Sequence, residues 1–132
     1  MDINYLAVVA AALSTFVIGA LWFSPLLFNN AWMKASGLTK EDVAGGYMAK
    51  IFGLAIVFEL IMAANLASFL AGPDTTILWG ATAGALAGIG WVALAIGTLA
   101  LFERRSWTYT LINGGYFAVS FIVMGVILGA WR

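Results

Sequence analysis

The chain has no cysteine and no histidine among its 132 residues. Without cysteine there is no disulfide framework, no thiolate nucleophile and no redox switch. Without histidine the commonest general base and the commonest metal ligand are both missing. Ser/His/Asp and Cys/His constellations cannot be assembled, and any metal would need carboxylates that lie scattered over separate loops. No catalytic residue, metal site or cofactor is expected, and the chain does not read as an enzyme. Charge is scarce too: Asp, Glu, Lys and Arg make up 9% of the residues, against about 25% in ordinary soluble domains. Six basic and six acidic residues cannot coat a globule in water. They also cancel, which leaves no basic footprint for nucleic acid.

What the chain has instead is apolar length. It is 64% hydrophobic, with a mean hydropathy of +1.02. Four apolar stretches, over about 3–23, 51–70, 77–102 and 109–131, each approach or exceed the ~20 residues a helix needs to cross hydrocarbon. The pattern predicts an all-α polytopic membrane protein, a bundle of four transmembrane helices forming one domain over 1–132, with a cytoplasmic loop over about 24–50. The first stretch does not read as a cleaved signal, since no basic region precedes it and Trp22-Phe23-Ser24-Pro25 follows it. Pro25 breaks or kinks that helix. The apolar segment 25–33 is too short to span, and either lies in the interface or continues the helix beyond the kink. Thr39 and Asp42 form a weak capping box, closed by Gly45-Gly46, and residues 71–74 make a tight turn.

Basic residues set the orientation. Lys34, Lys40 and Lys50 fall in the first loop and Arg104 and Arg105 in the third, whereas the opposite side has only Arg132. The positive-inside rule then puts loops one and three in the cytoplasm and both termini outside. The aromatic residues agree: Tyr5, Trp79 and Trp131 mark the outer helix ends, and Trp22, Trp32, Tyr47, Trp107 and Tyr109 the inner ones.

Small residues recur at helical spacing. Gly80, Gly84 and Gly88 make two overlapping GxxxG units, a stripe that ordinary helical geometry extends to Trp91, Ala95 and Thr98. Ala11, Thr15 and Gly19 repeat the device in the first helix, and Gly114, Ala118, Gly125 and Gly129 in the fourth. Small residues let backbones approach where lipid supplies no hydrophobic push. Two uses are open: packing within one bundle, or an interface with a second copy or a larger membrane complex. The bilayer itself is the other expected partner.

Glu59 is the one charged residue well inside an apolar stretch. It lies nine residues beyond Lys50, ~13 Å deep at 1.5 Å per residue. An ionised carboxylate near the midplane costs at least about 2.5–3.5 kcal/mol, so it takes a proton or finds a partner. Thr15, with its neighbour Ser14, on the first helix and Asn113, Tyr116 and Ser120 on the fourth lie at similar depth, whereas no Lys or Arg does. The expected resting state is a carboxyl hydrogen-bonded by hydroxyl and amide groups. It serves either as a proton, cation or substrate site, or as a tie that fixes helix register.

The residues Asn4-Tyr5-Leu6-Ala7-Val8, the run from Gly19 through Trp22-Phe23-Ser24-Pro25 to Phe28, and Ala31-Trp32-Met33-Lys34 resemble the start of the bacterial membrane proteins grouped as domain-of-unknown-function family 1761. The later helices are similar in layout. The resemblance implies a small four-helix protein of the bacterial inner membrane, with no catalytic residues to carry over, and draws attention to the Trp22–Pro25 corner. Two functions follow: a structural, accessory or homo-oligomeric membrane protein, or a small transporter or channel that uses Glu59.

Overall fold

The computed structural model describes residues 3–132. Met1 and Asp2, with which the expected domain begins, lie outside the described residues. Helix α1 (Tyr5–Trp22) opens on Asn4, whose side chain accepts the Ala7 amide at 3.2 Å. It ends ahead of Pro25, as proline demands. The chain then does not continue α1. It folds into a compact corner, in which the Phe28 amide donates to the Trp22 carbonyl at 3.1 Å and Asn29 Nδ2 to the Phe23 carbonyl at 2.9 Å. A short helix α2 (Asn29–Ser36) follows, closed by Gly37 at φ +70° and with no buried residue. Next come α3 (Tyr47–Phe69) and α4 (Ile77–Ala87), which runs through a π-helical turn (Gly88–Ala93) into α5 (Leu94–Phe102). The last helix is α6 (Trp107–Ala130). Helix α3 starts about one turn before the apolar run does, because interfacial residues such as Tyr47 and Lys50 extend it beyond the hydrocarbon.

Four spans, Tyr5–Trp22, Tyr47–Phe69, Ile77–Phe102 and Trp107–Ala130, are long and apolar enough to cross a membrane. The protein is an all-α polytopic membrane protein. Helix α6 is the hub, packing on α1, α4, the π turn and α5 and touching α3. Helix α1 sits between α6 and α3. The core shared by these three sets small alanines against larger aliphatic groups: Ala7, Ala11 and Ala12 from α1, Ala63 and Leu66 from α3, Met124 and Leu128 from α6.

The glycine stripes meet inside the chain. A methyl group added at Gly80 would collide with the Gly125 carbonyl oxygen, one at Gly84 with the Phe121 carbonyl, and one at Gly129 would lie 2.7 Å from the Thr76 carbonyl. The α4–α6 contact is thus backbone against backbone. The stripe does not continue to Trp91, Ala95 and Thr98, which are exposed, Trp91 by 70%. The π turn adds one residue to its turn of helix. The inward face therefore steps from Gly88 to Ala93, whose Cβ lies 3.3 Å from a methyl built on Gly114, then to Gly97 against Thr110, and to buried Ala100.

At one end of the bundle Arg132 donates to the carbonyls of Leu70 and Gly72, answering the end of α3. At the other, Thr39 and Asp42 form the reciprocal pair the sequence indicates, with the Thr39 amide donating to Asp42 Oδ2 at 2.8 Å and the Asp42 amide to Thr39 Oγ1 at 3.3 Å. They close a turn rather than a helix.

Gly84→Ala should destabilise the protein by about 1–3 kcal/mol or more, because the obstacle is backbone. Gly90→Ala meets nothing within 4 Å and should be neutral or slightly stabilising, by up to about 1 kcal/mol. Thermal unfolding in detergent separates the two. A second prediction concerns pH. The Thr39 amide, and then its hydroxyl, hold the Asp42 carboxyl below its ordinary value. A depressed carboxyl stabilises the folded turn fully above the ordinary Asp range, and that contribution fades as pH falls through the lowered value. Amide exchange at Thr39 should accordingly stay slow at mildly acidic pH and accelerate only below it, and should lose this dependence in Asp42→Asn.

Candidate functional site

Glu59 stands midway along α3, on the face that carries Ala63 and Leu66 toward α1 and α6. It is 7% exposed. Its Oε2 lies 2.5 Å from Thr15 Oγ1 of α1, and its Oε1 lies 3.3 Å from the Tyr116 hydroxyl of α6. One carboxyl therefore bridges three helices. Among the described residues the only ion pair is the exposed one between Arg105 and Glu103, so no cation balances Glu59. No group of three or more potential metal ligands occurs among the described residues either.

The hydrogens can be counted. Thr15 Oγ1 also lies 2.6 Å from the Ala12 carbonyl oxygen, and the Tyr116 hydroxyl 3.0 Å from the Thr15 carbonyl oxygen. Two hydroxyls carry two hydrogens, yet four close oxygen–oxygen contacts surround them. With an ionised carboxylate, either the Ala12 or the Glu59 contact at Thr15 holds no hydrogen. A hydrogen carried by the carboxyl would fill one more of the four: Oε2–H to Thr15 Oγ1, Thr15 onward to Ala12, and Tyr116 to the Thr15 carbonyl with Oε1 beside it.

The other residues expected here divide. Ser120, one turn beyond Tyr116, is fully buried, and its Oγ has no partner among the described residues. Asn113 does not join. Its Nδ2 donates to the Tyr109 carbonyl of its own helix at 2.9 Å, the local bond a short polar side chain readily makes. Ser14 likewise turns back to Ala11.

The sequence did not indicate that the α1 corner and the acid belong together. Tyr116 is held from the corner side: the Phe23 ring meets it edge-on, with centroids 5.2 Å apart, and a Cβ on Gly19 would lie 3.3 Å from its hydroxyl oxygen. Trp22 Nε1 donates to the Ile112 carbonyl of α6 at 2.9 Å. The indole lies over Gly115, where a Cβ would sit 3.1 Å from Trp22 Cζ2. Phe28 and Trp32 stack behind Trp22 and Phe23 at 5.0 Å. Gly114-Gly115 beside Tyr116 was the available signal: Gly114 receives Ala93 and Gly115 receives Trp22.

Fold and site together define a four-span membrane protein whose buried carboxyl is hydrogen-bonded across three helices and backed by an aromatic corner. Comparison with known families is consistent with this: the family described as protein of unknown function, DUF1761, matches residues 6–129. The chain belongs to that family. No curated protein and no solved structure matches it.

Tyr116→Phe removes one hydroxyl from the network and should cost about 1 kcal/mol. Gly19→Ala should push the same ring and cost a similar amount. If both act on one contact, the double variant falls short of the sum of the singles, whereas independent effects would add to within about 0.3–0.5 kcal/mol.

Proposed function

We propose that the protein is a structural or accessory membrane protein without enzymatic activity, in which Glu59 is a neutral tie between α1, α3 and α6. The observation that carries this reading is the closure of the carboxyl: both oxygens meet hydroxyls of other helices, and little surface is left for an ion or substrate. The charge bias and the family membership support a bacterial cytoplasmic membrane, with loops one and three inside and both termini outside. A second copy or a larger complex is the proposed partner besides lipid. The glycine stripes support that less than their number implies, since those of α4 and α6 face each other. The surface left for a partner is an apolar groove of about 720 Å³ between α3 and α4, lined by Phe69, Trp79 and Trp91.

The second reading is a small transporter or channel with Glu59 as its proton site, and the unpartnered Ser120 hydroxyl beside Tyr116 is the observation in its favour. One pair of variants separates the two. Glu59→Gln keeps a donor and an acceptor in place of the neutral carboxyl, and should lie within about 1 kcal/mol of the parent. Glu59→Leu removes both contacts across the helices and leaves the buried Thr15 hydroxyl with its own-helix bond alone, at about 1–3 kcal/mol. Vesicles holding the parent protein should pass protons no faster than empty ones. A proton flux that Glu59→Gln abolishes would establish transport instead.

A further inference from the structure

Helix α5 ends in a Schellman motif with the wrong residue in it. The Arg105 amide donates to the Ala100 carbonyl at 2.8 Å and the Arg104 amide to the Leu101 carbonyl at 3.3 Å. This closure places Arg104 in the left-handed region, at φ +58°, where glycine or asparagine is the usual occupant. No other non-glycine described residue has a positive φ. A β-carbon there is unfavourable, and backbone strain of this kind concentrates at ligand sites.

Arg104 lines a cleft of about 880 Å³, together with Arg105, Glu103, Ser106, Thr108 and, from α2, Lys34. Three cations against one carboxylate leave the cleft at +2. Glu103 is engaged by Arg105 Nε at 3.4 Å, and the Arg105 guanidinium lies 5.2 Å from the Tyr109 ring centroid. Lys34 and Arg104 make no side-chain hydrogen bond or ion pair among the described residues, so their charge is unanswered. The first turn of α6 adds to this. Ser106 caps the Tyr109 amide, whereas the Trp107 and Thr108 amides have no partner among the described residues, and they stand at the positive end of the helix dipole. On the flanks are Phe102, 86% exposed, and Trp107, 69% exposed. Both belong to the ends of membrane spans, and such aromatics mark the headgroup level, so the cleft opens where lipid headgroups stand.

We propose that this cleft binds the phosphodiester headgroup of an anionic membrane lipid. Arg104 and Lys34 supply the charge, the free amides of α6 donate to phosphate oxygens, and the acyl chains lie along Phe102 and Trp107. The site is independent of the role of Glu59, which lies about half a membrane away.

The test titrates phosphatidylglycerol into the detergent-purified protein, with native mass spectrometry as the readout and phosphatidylcholine of the same chains as the comparison. Phosphatidylglycerol should saturate at one per chain, with phosphatidylcholine at least about tenfold weaker. Each charge near such a surface contributes about 1 kcal/mol, and 1.4 kcal/mol is tenfold. Arg104→Gly should therefore bind about fivefold more weakly, and its combination with Lys34→Gln about thirtyfold. Arg104→Gly should also melt at a higher temperature than the parent, because glycine relieves the left-handed strain. That split, better folding with poorer binding, is one a merely structural arginine would not give. Lys40→Gln, in the loop between α2 and α3 and outside the cleft, should bind as the parent does. Equal binding of the two lipids overturns the proposal, as does a loss in Lys40→Gln that equals the loss in Arg104→Gly. Displacement by inorganic phosphate at the lipid's own concentration would assign the cleft to a soluble anion and overturn the lipid reading.

Discussion

Hydrocarbon offers no hydrogen bonds, so polar groups within the four spans are answered by other groups of the chain, the buried Ser120 hydroxyl excepted. Most are answered locally. Ser14, Thr82, Thr98 and Thr110 turn their hydroxyls back to carbonyls of their own helices. The few that cannot be satisfied locally become the long-range contacts: the Glu59 carboxyl, the Tyr116 hydroxyl and the Trp22 indole N–H all reach another helix. Two of the three end on Thr15 of α1 and the other on Ile112 of α6, which is why these helices lie at the centre. A carboxyl without a cation is the most demanding of them, and the hydroxyls of Thr15 and Tyr116 are positioned to meet it.

Shape does the rest. Lipid tails are as apolar as leucine, so helices associate by close packing rather than by burial from water. Helix α4 lies directly on α6 through Gly80, Gly84, Gly125 and Gly129. Such a seam drifts off an ordinary helix after a few turns. The π turn at Gly88–Ala93 corrects the drift with one added residue, so that Ala93, Gly97 and Ala100 carry on the inward face.

The four spans were legible because length and hydropathy are properties of single segments. Glu59 was legible because one carboxyl among apolar residues is conspicuous at any register, and Thr15 and Tyr116 because depth along a span can be counted. Orientation of side chains could not be counted in this way. Asn113 and Tyr116 lie at similar depth, and only the packed helix decides that one bonds its own backbone while the other reaches Glu59. The π turn left no mark either: a stripe of glycines looks the same whether or not an extra residue follows it, so Trp91 and Thr98 were placed on the wrong face. The corner formed by Trp22 and Phe23 was visible as unusual chemistry, yet its contact with Tyr116 joins positions more than ninety residues apart.

That contact also bears on what Glu59 can do. A proton path needs polar groups that continue from the buried carboxyl toward both membrane faces. Toward the end that holds Arg132, the core beyond Ser120 is Met124, Leu128, Leu66 and Leu70, with no oxygen or nitrogen in any of these side chains. Toward the other end, the rings of Phe23 and Phe117 pack on Tyr116. The polar cluster is therefore bordered by aliphatic groups on one side and aromatic rings on the other, surroundings that suit a tie. For the same cluster to conduct, the aromatic corner would have to swing away from Tyr116, which means breaking the Trp22–Ile112 bond and the packing on Gly19 and Gly115 together. Gly19, Trp22 and Phe23, part of the run that carries the family resemblance, are thus the residues packed on Tyr116 and its helix.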